Sequence, residues 1–155
     1  MGSILIEPLT ASAFSSFGQV IELAVANHYP INAGMTERYH DLARVELGGV
    51  HARPLISIFR GQPYTLPLSL TLVERHPLGT ASWLVIVAED DSGTPTRLRA
   101  FRPSLGQGVN IAMNTWHGVL TPLEAESDFI VVDRGGDGTN LKEYHFDTAW
   151  TIIDL

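Results

Sequence analysis

Residues 70–90, LTLVERHPLGTASWLVIVAED, set two strand-like runs on either side of an acid, a base and a histidine. The first run continues an alternation already under way, in which Leu66, Leu68, Leu70 and Leu72 are separated by Pro67, Ser69 and Thr71. Side chains on a strand point to opposite faces in turn, so the four leucines are predicted to share one face. Pro67 has no amide hydrogen to give a ladder, which predicts an edge strand or a bulge there. The second run, WLVIVA at 83–88, is apolar throughout and reads as a strand buried on both faces. Between them, Pro77-Leu78-Gly79 has the chemistry of a turn.

Outward from this stretch, the same short and strongly apolar pattern recurs. ILIEPL (4–9), PLISIFR (54–60), RLRAFR (97–102), WHGVLTPL (116–123) and DFIVVDR (128–134) are bounded by Gly, Pro, Asn or Asp. Helical signal is confined to LTASAFSSFGQVI (9–21), with Thr10 as its N-cap and Gly18 near its end. An all-β domain follows, an antiparallel β-sandwich or jelly-roll barrel with one or two short helices. With no linker, repeat or low-complexity tract, residues 1–155 read as a single domain.

Composition narrows the function classes. The formal net charge of -7 argues against nucleic acid or an anionic membrane as partner. The chain has no cysteine, hence no disulfide framework and no thiolate nucleophile, which fits a cytoplasmic setting. Its N-terminus, MGSILIEPLT, lacks the basic-then-apolar order of a signal peptide, and no apolar run is long enough to span a bilayer. Nine of the ten basic residues are Arg, the side chain suited to bidentate carboxylate recognition.

Several residues could carry chemistry. Glu74 and His76 stand at i and i+2 on a strand end and can converge on one point, with His117 as a third group from another strand. A carboxylate and two imidazoles are reasonable ligands for a divalent metal with open positions. The same residues equally suit an ion pair and a turn cap. INAGMTERYHDLARVEL (31–47), with Arg38 and His40, could line an anion pocket, form a solvated loop or make a subunit contact. Asp133 and Arg134 stand at the mouth of a strand before a Gly135-Gly136 turn, and Arg60 stands at another strand end. No serine nucleophile elbow or nucleotide fingerprint is present.

Six blocks in this order, INAGMTERYHDLA, SIFRGQP, VERHPLGT, WLVIVA, GQGVNIAMNTWH and DFIVVDRGG, resemble the ureidoglycolate lyase family, formerly called ureidoglycolate hydrolase. The resemblance covers the chain from about Leu5 to Phe146. It implies a cupin-like β-sandwich, a homodimer, and release of urea and glyoxylate from (S)-ureidoglycolate in allantoin and purine catabolism. A divalent metal, nickel in particular, is the implied cofactor. Glu74 and His76 match the first pair of cupin ligands and His117 the histidine of the second motif. On this basis His76, His117, His40 and Asp133 are candidate acid–base groups, and Arg38, Arg60 and Arg75 candidate substrate clamps. The alternatives are a cupin enzyme acting on a related ureido or hydroxy acid, and a non-catalytic cupin that binds a small carboxylate.

The chain departs from the family pattern in two places. After Thr80 the family usually continues with Gln-Ala-Phe and a Pro-containing segment, of which about eight residues, including a glutamine matching the fourth cupin ligand, have no counterpart here. A genuine cut would weaken the metal site and remove strand from mid-sandwich, so the favoured reading is a loop omitted from the chain as written. In VNIAMNTWHG, Ile111, Met113 and Gly118 stand where the family usually has Tyr, often a basic residue and often a second His.

Overall fold

The computed structural model describes residues 2–75 and 85–154. In chain order its first strands are β1 (Ser3–Pro8), β2 (Gly18–Ile21), β3 (His28–Ile31), β4 (Thr36–Tyr39), β5 (Arg53–Gly61) and β6 (Leu68–Arg75). The second half supplies β7 (Val85–Asp91), β8 (Thr94–Arg102), β9 (Gly108–Ile111), β10 (Trp116–His117), β11 (Ser127–Gly135) and β12 (Lys142–Ile153). One α-helix, α1 (Ala11–Phe14), is only a single turn long. Its cap is the expected one, since the Thr10 hydroxyl accepts from the Ala13 amide at 3.2 Å. Gly18 has a different role from the helix end expected of it. It opens β2, where a Cβ would lie 2.0 Å from the Asn110 carbonyl oxygen.

Six strands close a barrel in the order β1, β12, β6, β10, β7, β8, and three further pairs, β5–β11, β2–β9 and β3–β4, form two-stranded sheets. The fold is all-β and cupin-like, as expected, but the barrel is mixed rather than antiparallel. β1 runs parallel to β12 over its first half and parallel to β8 over its second. A parallel pair needs a long crossover, and these partners are distant in sequence. By bridging two otherwise open edges, β1 completes the ring.

Every barrel strand contributes to one apolar cluster, of Ile4, Leu70, Val73, Ile86, Ala88, Ala100, Trp116 and Ile152, which therefore fills the ring. A second cluster lies on the opposite face of β7 and β8, where Val85, Val87 and Phe101 meet Phe14, Phe17, Val109 and Ile111 from α1, its flank and β9. β7 is thus buried on both faces, as its unbroken apolar run predicts.

The leucine alternation holds for Leu66, Leu68 and Leu70 and then fails. Between His145 and Trp150, β12 bulges against β6 and shifts the phase, so Val73 rather than Leu72 packs in the core. The expectation for Pro67 is also corrected. β6 is not an edge strand, because β12 and β10 flank it. Pro67 stands just ahead of its first residue, where a missing N–H costs no ladder bond.

Candidate active site

The bulge decides which way the end of β6 points. With Val73 turned into the ring, Glu74 turns away from it and Arg75 turns back in. Glu74 is the register partner of His117 on β10, and His117 in turn faces Val87 on β7. Directly opposed residues share a face, with Cβ atoms about 4.5–5.5 Å apart, so Glu74 and His117 form a neighbouring carboxylate–imidazole pair. His117 is 7% exposed, and its Nδ1 lies 2.9 Å from the Gly118 carbonyl. Donation from Nδ1 to that carbonyl places the lone pair on Nε2, the form that accepts a proton or ligates a metal. Across the next ladder Glu143 faces Glu74, a neighbour that sequence reasoning missed because β12 was not recognised as a strand.

Local sequence supports this arrangement. The Gly118 amide donates to Ile86 O at 2.8 Å, and a Cβ there would lie 3.1 Å from the Ile86 side chain. A second histidine at 118 would press on the barrel wall, which leaves His117 as the imidazole of this motif. Ile111, where the family usually has Tyr, is buried in the second apolar cluster and offers no donor.

The other candidates are dispersed. His76 lies outside the described residues. Arg38 and His40 belong to the β3–β4 hairpin or its flank, are exposed, and surround Tyr29, with Arg38 6.0 Å from its ring centroid and His40 at 5.8 Å. Among the described residues that hairpin pairs only with itself. Arg60 grips Asp128 with both Nε and Nη2, at 2.7 and 2.8 Å. This contact raises the pKa of Arg60 and lowers that of Asp128. Asp133 sits on β11 with its Oδ1 buried and, among the described residues, unbonded. The adjacent Arg134 is buried and donates to the carbonyls of Gly48, Val50 and Asp137, at 2.8, 3.4 and 2.7 Å. It fastens the 48–50 loop to the strand end.

Arg75 points to the opposite side of the sheet from Glu74. It is 8% exposed, stacks 4.3 Å over the Trp116 ring and donates from Nη1 to Asp90 Oδ1 at 2.8 Å. Trp116 Nε1 donates to the same oxygen at 2.7 Å. Asp90 is held below the usual carboxylate range, first by the Trp116 hydrogen bond and then by the Gly93 amide and the nearby charges of Arg75 and Lys142. Sequence reasoning missed Asp90, Trp116 and Lys142, since nothing local marks three distant residues as neighbours.

Among the described residues no group of three or more His, Asp or Glu side chains is placed to hold a metal. Glu74 and His117 supply two donors of the right kind, a carboxylate and an imidazole oriented through its other nitrogen. The donor chemistry fits a divalent ion, and His76 is the remaining candidate ligand. Among the described residues no helix is long and apolar enough to cross a membrane.

A sequence profile of the ureidoglycolate lyase family matches residues 1–153. A ureidoglycolate lyase from Chelativorans sp. is 54% identical over 160 aligned positions, covering 98% of this chain and 97% of the relative. One from Mesorhizobium japonicum is 52% identical, with 98% of each chain covered. A protein from Rhizobium meliloti named ureidoglycolate lyase 2 is 51% identical, with 95% of each covered. The 160 aligned positions outnumber the 155 residues of this chain, so the Chelativorans relative carries residues with no counterpart here. The sequence as written is therefore shorter than that relative over the aligned span. The position expected for that shortening, after Thr80, lies outside the described residues. On a match of this length and identity, the chain belongs to the ureidoglycolate lyase family.

Proposed function

We propose that this protein is a ureidoglycolate lyase, releasing urea and leaving glyoxylate, in the allantoin branch of purine breakdown. The observation that carries the reading is the family match over residues 1–153, joined by relatives of that name at about half identity. The pairing of Glu74 with His117 supplies a site where the chemistry can occur.

Ureidoglycolate is a carbinolamide, with carboxylate, hydroxyl and ureido nitrogen on one carbon. Cleavage removes the hydroxyl proton, forms the aldehyde C=O, breaks the C–N bond with its electron pair going to nitrogen, and protonates that nitrogen. No water is consumed. With no ion bound, His117, its lone pair on Nε2, accepts the hydroxyl proton and its imidazolium returns a proton to the departing urea nitrogen; with an ion on Nε2 that role passes to His40 or Asp133. Glu74 beside it stabilises that imidazolium. His76, His40 and Asp133 are the further candidates for the proton-transfer role. Of the three candidate clamps, Arg38 is the one with no carboxylate partner among the described residues, which leaves its guanidinium free to take the substrate carboxylate. Glu74, His117 and His76 would hold a divalent ion, nickel by family resemblance, which when bound supplies Lewis-acid polarisation of the substrate oxygens.

The working unit is proposed to be a cytoplasmic homodimer. Ile56, Ile58 and Ile130 are exposed by 78, 72 and 77% on the β5–β11 sheet, an apolar surface suited to a second copy. Purified protein incubated with ureidoglycolate should release urea and glyoxylate in equal amounts. Absence of urea release with and without added nickel, cobalt or manganese sinks the activity. A single monomeric mass in light scattering sinks the dimer.

A further inference from the structure

The guanidinium of Arg75 is nine-tenths buried, yet among the described residues its Nε–H has no hydrogen-bond partner. An arginine offers a carboxylate its side-on fork, made by Nε and Nη2. Elsewhere in this molecule that fork is filled. Arg60 uses it on Asp128 at 2.7 and 2.8 Å, and Arg99 uses it on Glu7 at 2.9 and 2.6 Å. Arg75 differs, because Asp90 takes only Nη1 and leaves the fork unoccupied. A buried donor left unmade is costly, the more so on a charged group, so an acceptor belongs there.

The surroundings favour an anionic acceptor. Lys142 on β12 is the register partner of Arg75, and its Nζ lies 5.9 Å from the Trp116 ring on which Arg75 stacks. Like charges opposed across a ladder repel each other. Asp90, ion-paired to Arg75 and close enough for the charge of Lys142 to reach it, offsets only one of the two. Among the described residues one positive charge is therefore left uncompensated beside an unpaired two-pronged donor. The Trp116 ring covers one face of the guanidinium.

We propose that the unpaired Nε/Nη2 edge of Arg75, backed by Lys142 and floored by Trp116, is a binding site for a small monocarboxylate. It is distinct from the Glu74–His117 pair, because Arg75 and Glu74 face opposite sides of β6 and Trp116 and His117 opposite sides of β10. The proposal stands on this geometry and does not depend on the lyase reading. A carboxylate seated there pairs the second cation and fixes the strand end that carries Glu74.

The test titrates acetate into the full-length protein at constant ionic strength and follows the arginine Nε–H signals by nitrogen-15 NMR. The Arg75 signal, identified by its loss in Arg75→Lys and its proximity to the Trp116 indole, should shift and saturate with acetate. Acetamide and chloride should leave it in place. Lys142→Met should weaken acetate binding about threefold, the loss expected of one partly exposed charge. His117→Ala should leave acetate binding unchanged. If Arg75→Lys does not fold, the indole contact still assigns the signal and Lys142→Met still decides. An Arg75 signal indifferent to acetate, as for a fork filled by water, overturns the proposal. So does an equal response to chloride, or loss of the acetate shift in His117→Ala.

Discussion

Glu74 and His117, forty-three positions apart in the chain, are register partners across the β6–β10 ladder and face away from the barrel core. One residue further along each strand, Arg75 and Trp116 stack against each other on the other side. A single sheet wall thus carries a carboxylate–imidazole pair on one face and an arginine–tryptophan stack on the other. This arrangement makes the two faces separable by mutation.

His117→Ala should lower the rate of urea release by about 10²–10⁴-fold, the usual effect of removing a general acid–base group. The fold should persist, since Trp116 and the ring cluster keep their contacts. Steady-state urea assays with far-ultraviolet circular dichroism check both halves. Undiminished turnover removes His117 from the mechanism.

Acidification should act through Asp90. Its carboxyl titrates below the ordinary value of 3.8 in the folded protein, chiefly because Trp116 donates to it. A depressed folded-state pKa contributes stability that is present above the unfolded pKa and is lost as pH falls through the folded one. Asp90→Asn should therefore flatten the decline in denaturation midpoint on going below about pH 4. Urea denaturation of both proteins across that range measures the difference. An unchanged slope in the variant would show that Asp90 makes no such contribution.

Metal affinity should be weaker here than in the relatives that carry residues this chain lacks, if the shortening falls after Thr80 as the sequence indicates. Glu74→Gln should weaken it further, because a neutral amide replaces an anionic donor. Calorimetry with nickel on the chelator-treated protein and on the Chelativorans relative tests the comparison. Equal affinities would show that the missing segment contributes no ligand.

Phe101→Ala should destabilise the protein by about 3–5 kcal/mol, through lost burial and a cavity. Phe101 is fully buried between Phe14 and Phe17, with ring centroids 5.7 and 6.5 Å away. Thermal unfolding gives the value, and a loss below about 1 kcal/mol would mean that the second cluster collapses around the gap.

Legibility in the sequence followed locality. β5, β7, β8 and β11 were readable because each is a short apolar run closed by turn residues. β12, the longest strand, was missed. Its core-facing residues Tyr144, Trp150 and Ile152 are separated by a bulge, and charged residues interrupt the apolar pattern. The 118–123 segment was read as strand, but after His117 it runs as a connection in which the Thr121 hydroxyl donates to Val119 O.

Glu74 and His117 could be nominated from sequence by residue type and family resemblance, whereas the facing direction of Glu74 could not. That direction depends on the bulge in β12, a strand almost seventy residues away, which sets the phase of β6. The fates of the three arginines were equally hidden, because whether a guanidinium is free or held by Asp128 or Asp90 depends on strand pairing rather than on neighbours in the chain. The order of residues was enough to determine an all-β chain of this family. Which side of the wall each functional group occupies was decided only when distant strands locked their register, since a one-residue shift there reverses every face.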